Sequence, residues 1–305
     1  MRVCCRVRNA GVPLGERPPY HRSRARHPPH RFSDYCPVGH VVSLVFCGIA
    51  PHQAALVSSA PASADPFAAT RKALAALTVS LYASRPDVLI VLTPHGAPSE
   101  DRIALKLAPR CVGTLEQFGD LSTRVAFPTD TALTNAILTD AARAGLPVQS
   151  VSDGTLDHGS TVPLALLTAK LQQTALVVVS VPARSGQASL RTLGNSIRHH
   201  VLNTTQRVAV LASGDLSHTH DANAPGGYHE AGKAFDEAVR TALTDDIKTL
   251  TLISDDVATN SKQCLLTPLF VLAGVLDTQH YRIEVQSYDV VAGTGHLRSR
   301  TAGYV

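Results

Sequence analysis

Four histidines stand where apolar runs of the chain end. "VFCGIAPH" delivers His52, "VLIVLTPH" delivers His95 and "VAVLASGDLSH" delivers His218, while "TLDHGSTVPLALL" places His158 just ahead of a helical pattern. A neutral imidazole is a common ligand for transition metals, and its charge changes near neutral pH. Two imidazoles with one anionic ligand form a face that leaves positions open on iron(II) for substrate and O₂. Two further histidines nearby suit proton transfer. The chain has 14 histidines, so a single one in a Pro-containing loop is ordinarily a surface or satisfied polar residue. Weight comes from four falling at one predicted edge. His21, His27, His30 and His40 belong to a polar tail and His199-His200 to a helical pattern, and these are set aside. The residue types alone predict a metal-dependent enzyme with a two-histidine proton relay, without naming the reaction.

The elements that must position these groups are legible as alternation. "VVSLVFCGIA" (41–50), "DVLIVL" (87–92), "ALVVVSV" (175–181) and "VAVLA" (208–212) are continuous, Val-rich runs. Such runs fit strands buried on both faces of a parallel sheet. Helical patterns lie between them, at 65–84 with Asp65 as N-cap and Pro66 in the first turn, and at 129–144 closed by Gly145. Others cover 160–173, 186–203, 227–253 and about 261–276. The order predicts a layered α/β fold around a largely parallel central sheet. In open sheets of this kind ligands bind beyond the carboxyl ends of the strands, where His52, His95 and His218 fall.

The totals bound the function class. The chain has 305 residues, 44% of them hydrophobic and 17% charged, which is ordinary globular composition. The net charge of +4 is unevenly placed. Residues 1–40 hold eight of the 28 basic residues (Arg2, Arg6, Arg8, Arg17, Arg22, Arg24, Arg26 and Arg31) and two of the 24 acidic ones, Glu16 and Asp34. That leaves 20 basic against 22 acidic in the rest. "GERPPYHRSRARHPPHR" has no hydrophobic periodicity, so residues 1–40 are expected to be a disordered basic extension, with one domain over 41–305. Its start resembles a signal or transit peptide, but the basic stretch is too long and Pro51-His52 interrupts the apolar segment. Basic residues in an unstructured arm make no nucleic-acid footprint. No apolar run reaches the roughly 18 residues of a membrane span. The six cysteines form no CxxC pair, and a chain this long needs no disulfide framework, so a reducing cytoplasm is expected. No HExxH occurs, which disfavours a zinc peptidase.

The ordered set "GIAPH", "DVLIVLTPHG", "FGD", "LDHGSTVPLALL", "ASGDLSH", "GYHEAGKAFDEAV" and "QCLLTPLFVLAGVL" resembles the LigB-type class III extradiol ring-cleavage dioxygenases, whose superfamily also holds the Memo-like proteins. The resemblance runs over roughly residues 43–276 and rests on the order of the motifs. It implies a three-layer α/β/α fold, non-haem Fe(II), with another divalent metal as the alternative, and insertion of O₂ into a catechol-like dihydroxy aromatic. By motif it makes His52 and His95 metal ligands, His218 the acid/base group and His158 the second histidine at the substrate. A small catechol-like molecule and O₂ are the expected partners, with homo-oligomerisation left open.

One position departs from the family pattern. The third ligand of extradiol enzymes is a glutamate ahead of the segment that reads "PLFVLAGVL" here, and this chain has Gln263-Cys264 instead. Memo-like relatives carry a cysteine at about this place, so Cys264 is the matching third ligand. Its competing reading is a small buried hydrophobe on a core helix. Glu230, Glu237, Asp255 and Asp256 are acids a fold could bring near, and Tyr228 and His229 could line the pocket. Asp215 and Ser217 flank His218 and read equally well as its orienting groups or as ordinary turn and N-cap residues. The alternative to ring cleavage is therefore a Memo-like metal-binding or redox protein.

Overall fold

The computed structural model describes residues 43–57, 65–171, 173–277 and 281–304. All belong to the unit Val41–Val305; the extension expected over residues 1–40, with Cys4, Cys5, Cys36 and the tail histidines, lies outside the described residues.

The four Val-rich runs are strands: β1 (Leu44–Ala50), β2 (Val88–Thr93), β7 (Ala175–Ser180) and β8 (Val208–Ser213). They pair in parallel in the order β7-β2-β8-β1. Burial on both faces explains the continuous patterns. Along β2, Leu89 and Val91 face one apolar cluster with α1 (Ala68–Ser84) and α3 (His158–Leu167). Ile90 and Leu92 face the other, with α2 (Thr131–Arg143), α4 (Gln187–Leu202), α5 (Ala231–Thr244) and α7 (Leu266–Leu276). This is the expected α/β/α layering.

Among the described residues the sheet has eight strands, these four and four more. On one edge β3 (Ile103–Lys106) runs antiparallel to β7 and carries β6 (Val148–Val151) parallel to itself. On the other, the hairpin β9 (Tyr281–Val291) and β10 (Thr294–Tyr304) adds antiparallel to β1. A two-stranded sheet, β4 (Arg110–Leu115) and β5 (Asp120–Pro128), stands apart.

Several helix bounds differ from the sequence pattern for local reasons. Asp65 does not cap α1: its carboxylate accepts from Phe67 N–H at 2.9 Å and from Arg71 at 2.8 Å, and the helix begins three residues later. Asp130, not Thr129, caps α2 through Leu133 N–H. Helix α3 starts at His158 because Asp157 caps it. The 227–253 pattern breaks after Thr244 into a 3₁₀ turn, Ile247–Leu252. The 261–276 pattern resolves into α7, preceded by the short α6 (Asp255–Asn260), so Cys264 lies on the turn between helices.

Candidate metal centre

Strand β8 lies between β1 and β2. The ends of β1 and β2 are therefore two strand spacings apart, about 9.5 Å, and His52 and His95 project across the carboxyl end of β8 towards each other. Their Nε2 atoms are 3.3 Å apart. The reach depends on close packing around Gly159, where a Cβ would come within 2.6 Å of Thr93 Oγ1 and 3.1 Å of His95 Cδ2. Thr93 Oγ1 donates to Asp157 at 2.8 Å and accepts from His95 N–H at 3.2 Å. Asp157 thus ties the start of α3, with His158, to the end of β2, with His95. The imidazole rings of His95 and His158 stack at 4.4 Å, and those of His52 and His158 meet edge-on at 5.1 Å. One nitrogen from each of His52, His95 and His158 lies within 4.8 Å of the others, so the three could hold a metal ion.

Cys264 arrives from the other side. Gly214, at the end of β8, lets Leu265 approach so closely that a Cβ there would stand 2.5 Å from Leu265 Cα. Cys264 Sγ consequently lies 3.4 Å from His52 Nε2 and accepts from Asp215 N–H at 3.2 Å. Gln263 is turned to another task, its Oε1 accepting from Leu266 N–H at 2.8 Å as the first turn of α7 begins.

The hydrogen bonds fix the His52 tautomer. The single Ser213 hydroxyl proton goes to the Gly159 carbonyl, so Ser213 Oγ accepts from His52 Nδ1–H at 3.0 Å. The Nε2 lone pair then faces His95 and Cys264. Burial, reinforced by His95 and His158, pushes the His52 pKa down to about 4. Burial also lowers His95 and His158, so all three imidazoles favour their ligating, neutral form.

These donors suit a transition-metal ion. Two nitrogens at about 2.1 Å from one tetrahedral ion stand roughly 3.4 Å apart, and a thiolate sulfur at about 2.3 Å stands roughly 3.6 Å from each. The 3.3 Å and 3.4 Å separations are close to those values. Burial and the Asp215 carboxylate push the Cys264 thiol well above its ordinary range, so a metal must displace its proton on binding.

Asp215 is the group sequence reasoning misjudged. It caps no helix and makes no hydrogen bond to His218 among the described residues. Buried, it accepts from His52 N–H at 3.3 Å and from His296 Nδ1–H at 3.2 Å, with Oδ2 3.7 Å from His52 Nε2. Burial alone would raise its pKa. The His52 and His296 imidazoles outweigh that and hold it well below the usual carboxylate range. Ser217 likewise turns away, its hydroxyl donating to the Ser261 carbonyl at 3.0 Å.

A cavity of about 720 Å³ opens over this centre, lined by all five predicted residues, His52, His95, His158, His218 and Cys264, with Asp215. His218 donates Nδ1–H to the Lys262 carbonyl at 2.7 Å, leaving Nε2 as the atom able to take a proton. Phe118, half exposed, stands edge-on to His158 at 5.4 Å. Lys262 is the one Lys or Arg among the lining residues. A second cavity of about 590 Å³ shares His95, Lys262 and Cys264, and Asp255 borders it. Neither Tyr228 nor His229 lines either cavity; Tyr228 is exposed. Of the other acids, Glu237 faces Lys233 on the surface, and Glu230 and Asp256 line neither cavity. No helix among the described residues is long and apolar enough to cross a membrane.

Comparison with known proteins agrees with this architecture. Protein CA_C1420 from Clostridium acetobutylicum is 27% identical over 237 residues, which is 74% of this chain and 50% of that protein. This chain thus spans about half the length of the curated relative it matches. A crystal structure of the uncharacterized protein JW3007 from Escherichia coli K12 superposes with a TM-score of 0.59 at 16% identity, over 85% of this chain and 100% of that one, and so shares the fold. The family model for the catalytic LigB subunit of aromatic ring-opening dioxygenase matches residues 47–297, and the chain belongs to that metal-dependent family.

Proposed function

We propose that this protein is a class III extradiol-type dioxygenase that opens the ring of a catechol-like dihydroxy aromatic with O₂, using non-haem Fe(II) held by His52, His95 and Cys264. The observation that carries the reading is that His52 Nε2 stands 3.3 Å from His95 Nε2 and 3.4 Å from Cys264 Sγ, beneath a cavity whose walls also present His158 and His218. Bound iron would supply a site where a catecholate and O₂ meet and exchange electrons. The chain's own residues do the rest. His218, pinned through Nδ1 to the Lys262 carbonyl, offers Nε2 to the hydroxyl proton of the substrate. His158, kept neutral by burial, lies between the ligand pair and the Phe118 ring, where it can pass a proton to the opening product. Phe118 forms an apolar edge for a flat ring.

The test is anaerobic loading with Fe(II), then O₂ uptake and a yellow ring-opened product across a panel of catechols. Stoichiometric iron without turnover on any catechol would end the ring-cleavage reading. It would leave a second reading, a metal-binding or redox protein, which one observation favours. The acid of the extradiol ligand set is replaced by a thiol, and the nearby Asp215 carboxylate is engaged by His52 and His296. Retention of full metal affinity by Cys264→Ala would in turn remove the basis of that second reading.

A further inference from the structure

His296 lies on β10, in the antiparallel hairpin at the edge of the sheet, and it is wholly buried. Nothing in the motifs points to it. Yet β10 is stitched to the loop after β8: Leu216 N–H donates to the Gly295 carbonyl at 2.9 Å, and Gly295 N–H to the Ser217 carbonyl at 2.8 Å. That pairing sets His296 beside Asp215, to which its Nδ1–H donates at 3.2 Å. Its ring packs edge-on against Phe67 at 5.7 Å, and its Nε2 has no hydrogen-bond partner among the described residues.

A buried ring nitrogen without a partner is a standing cost, which an apolar side chain of similar size would avoid. The hydrogen bond the ring does make goes to the residue joining two of the proposed donors. Asp215 touches His52 through its carboxylate, and its backbone N–H and carbonyl engage Cys264 Sγ and N–H, each at 3.2 Å. Ligand-orienting carboxylates work only if they are themselves held in place.

We propose that His296 is a positioning residue: by holding Asp215 through Nδ1–H it fixes the mutual placement of His52 and Cys264. The proposal rests on the metal-site reading above for its consequence and on the Asp215 contacts for its geometry. Hairpin β9–β10 thereby serves the centre from outside the parallel strands.

Two polar replacements separate positioning from packing. In His296→Asn the side-chain amide can stand where Nδ1–H stands, whereas in His296→Gln it reaches the Nε2 side instead. The full chain would be read in two ways: Co(II) titration, with the sulfur-to-cobalt charge-transfer band, and the alkylation rate of Cys264 by iodoacetamide in metal-free protein, followed on the Cys264 peptide. Expected for His296→Gln are at least a tenfold loss of Co(II) affinity with a shifted band, and at least a threefold change in alkylation rate. His296→Asn should stay within threefold of wild type on both. Wild-type behaviour of His296→Gln in both readouts, or equal impairment of both variants, overturns the proposal. If the wild-type chain takes up no Co(II), the metal reading is what fails. The alkylation rates then decide positioning alone, with an unchanged rate in His296→Gln refuting it.

Discussion

Asp215 and Asp236 are both buried carboxylates facing a histidine, and both engage the segment that follows β8. They differ in what surrounds them. Asp215 sits between His52 and His296 and is held well below the usual carboxylate range, so it remains an anion beside the candidate metal centre. Asp236, on α5, accepts from Ser217 N–H at 2.9 Å, Tyr288 O–H at 2.9 Å and His220 Nε2–H at 2.7 Å. Burial nevertheless raises its pKa, because those three bonds do not offset the loss of water. The first arrangement places a negative charge where a cation would gain from it. The second closes a polar knot that pins the Ser217–His220 turn to α5 and β9, and so holds the backbone on which Asp215 and His218 stand.

The largest expected effect follows from that division. Asp236→Ala strands Ser217 N–H, the Tyr288 hydroxyl and His220 in a buried pocket, and should destabilise the fold by about 3–5 kcal/mol. Co(II) affinity of the fraction still folded should change less than tenfold. Urea unfolding and Co(II) titration on the same sample measure both quantities. A small loss of stability with a large loss of affinity would place Asp236 in the metal centre and dissolve the contrast.

That contrast was half legible in the sequence. Strands buried on both faces announce themselves as Val-rich runs, and a histidine two residues past Ala50 or Thr93 can be placed at the sheet edge from the run alone. The fold class followed for the same reason. β3, β6, β9 and β10 were missed because they are short or mix polar with apolar residues, and their pairing is set by tertiary contacts. His296 could not be found, since its role depends on an antiparallel register with a loop some 80 residues earlier. Asp215 was visible but misjudged. "SGD" after a strand is common turn chemistry, and only the convergence of His52 and His296 gives its carboxylate a different meaning.

Acid should separate the two carboxylate sites by sign. His52 has its folded pKa lowered to about 4 from 6.5, so below pH 6.5 the unfolded chain takes up a proton that the folded chain refuses. Stability of metal-free protein should therefore fall from about pH 6.5 to about 4, by something on the order of 3 kcal/mol from this residue. Asp215, depressed, adds a loss at still lower pH. Asp236 acts oppositely: with its folded pKa raised, protonation favours the folded state as pH falls. Urea midpoints at pH 7, 5.5 and 4 in the presence of a chelator would show the net decline, and His52→Gln should flatten it. An unchanged slope in that variant would mean that His52 is not the group refusing the proton.

The smallest expected effect tests how far the Asp236 knot is shared. Tyr288→Phe removes one of three donors to the carboxylate and leaves the ring under Arg240, whose guanidinium carbon lies 4.6 Å from its centre. With Ser217 N–H and His220 still in place, the loss should be about 1 kcal/mol, read as a modest drop in thermal midpoint with Co(II) uptake unaltered. A loss as large as that of Asp236→Ala would make the tyrosine hydroxyl, rather than the carboxylate, the centre of the knot. No loss at all would mean that water replaces it, and that the turn is held by Ser217 and His220 alone.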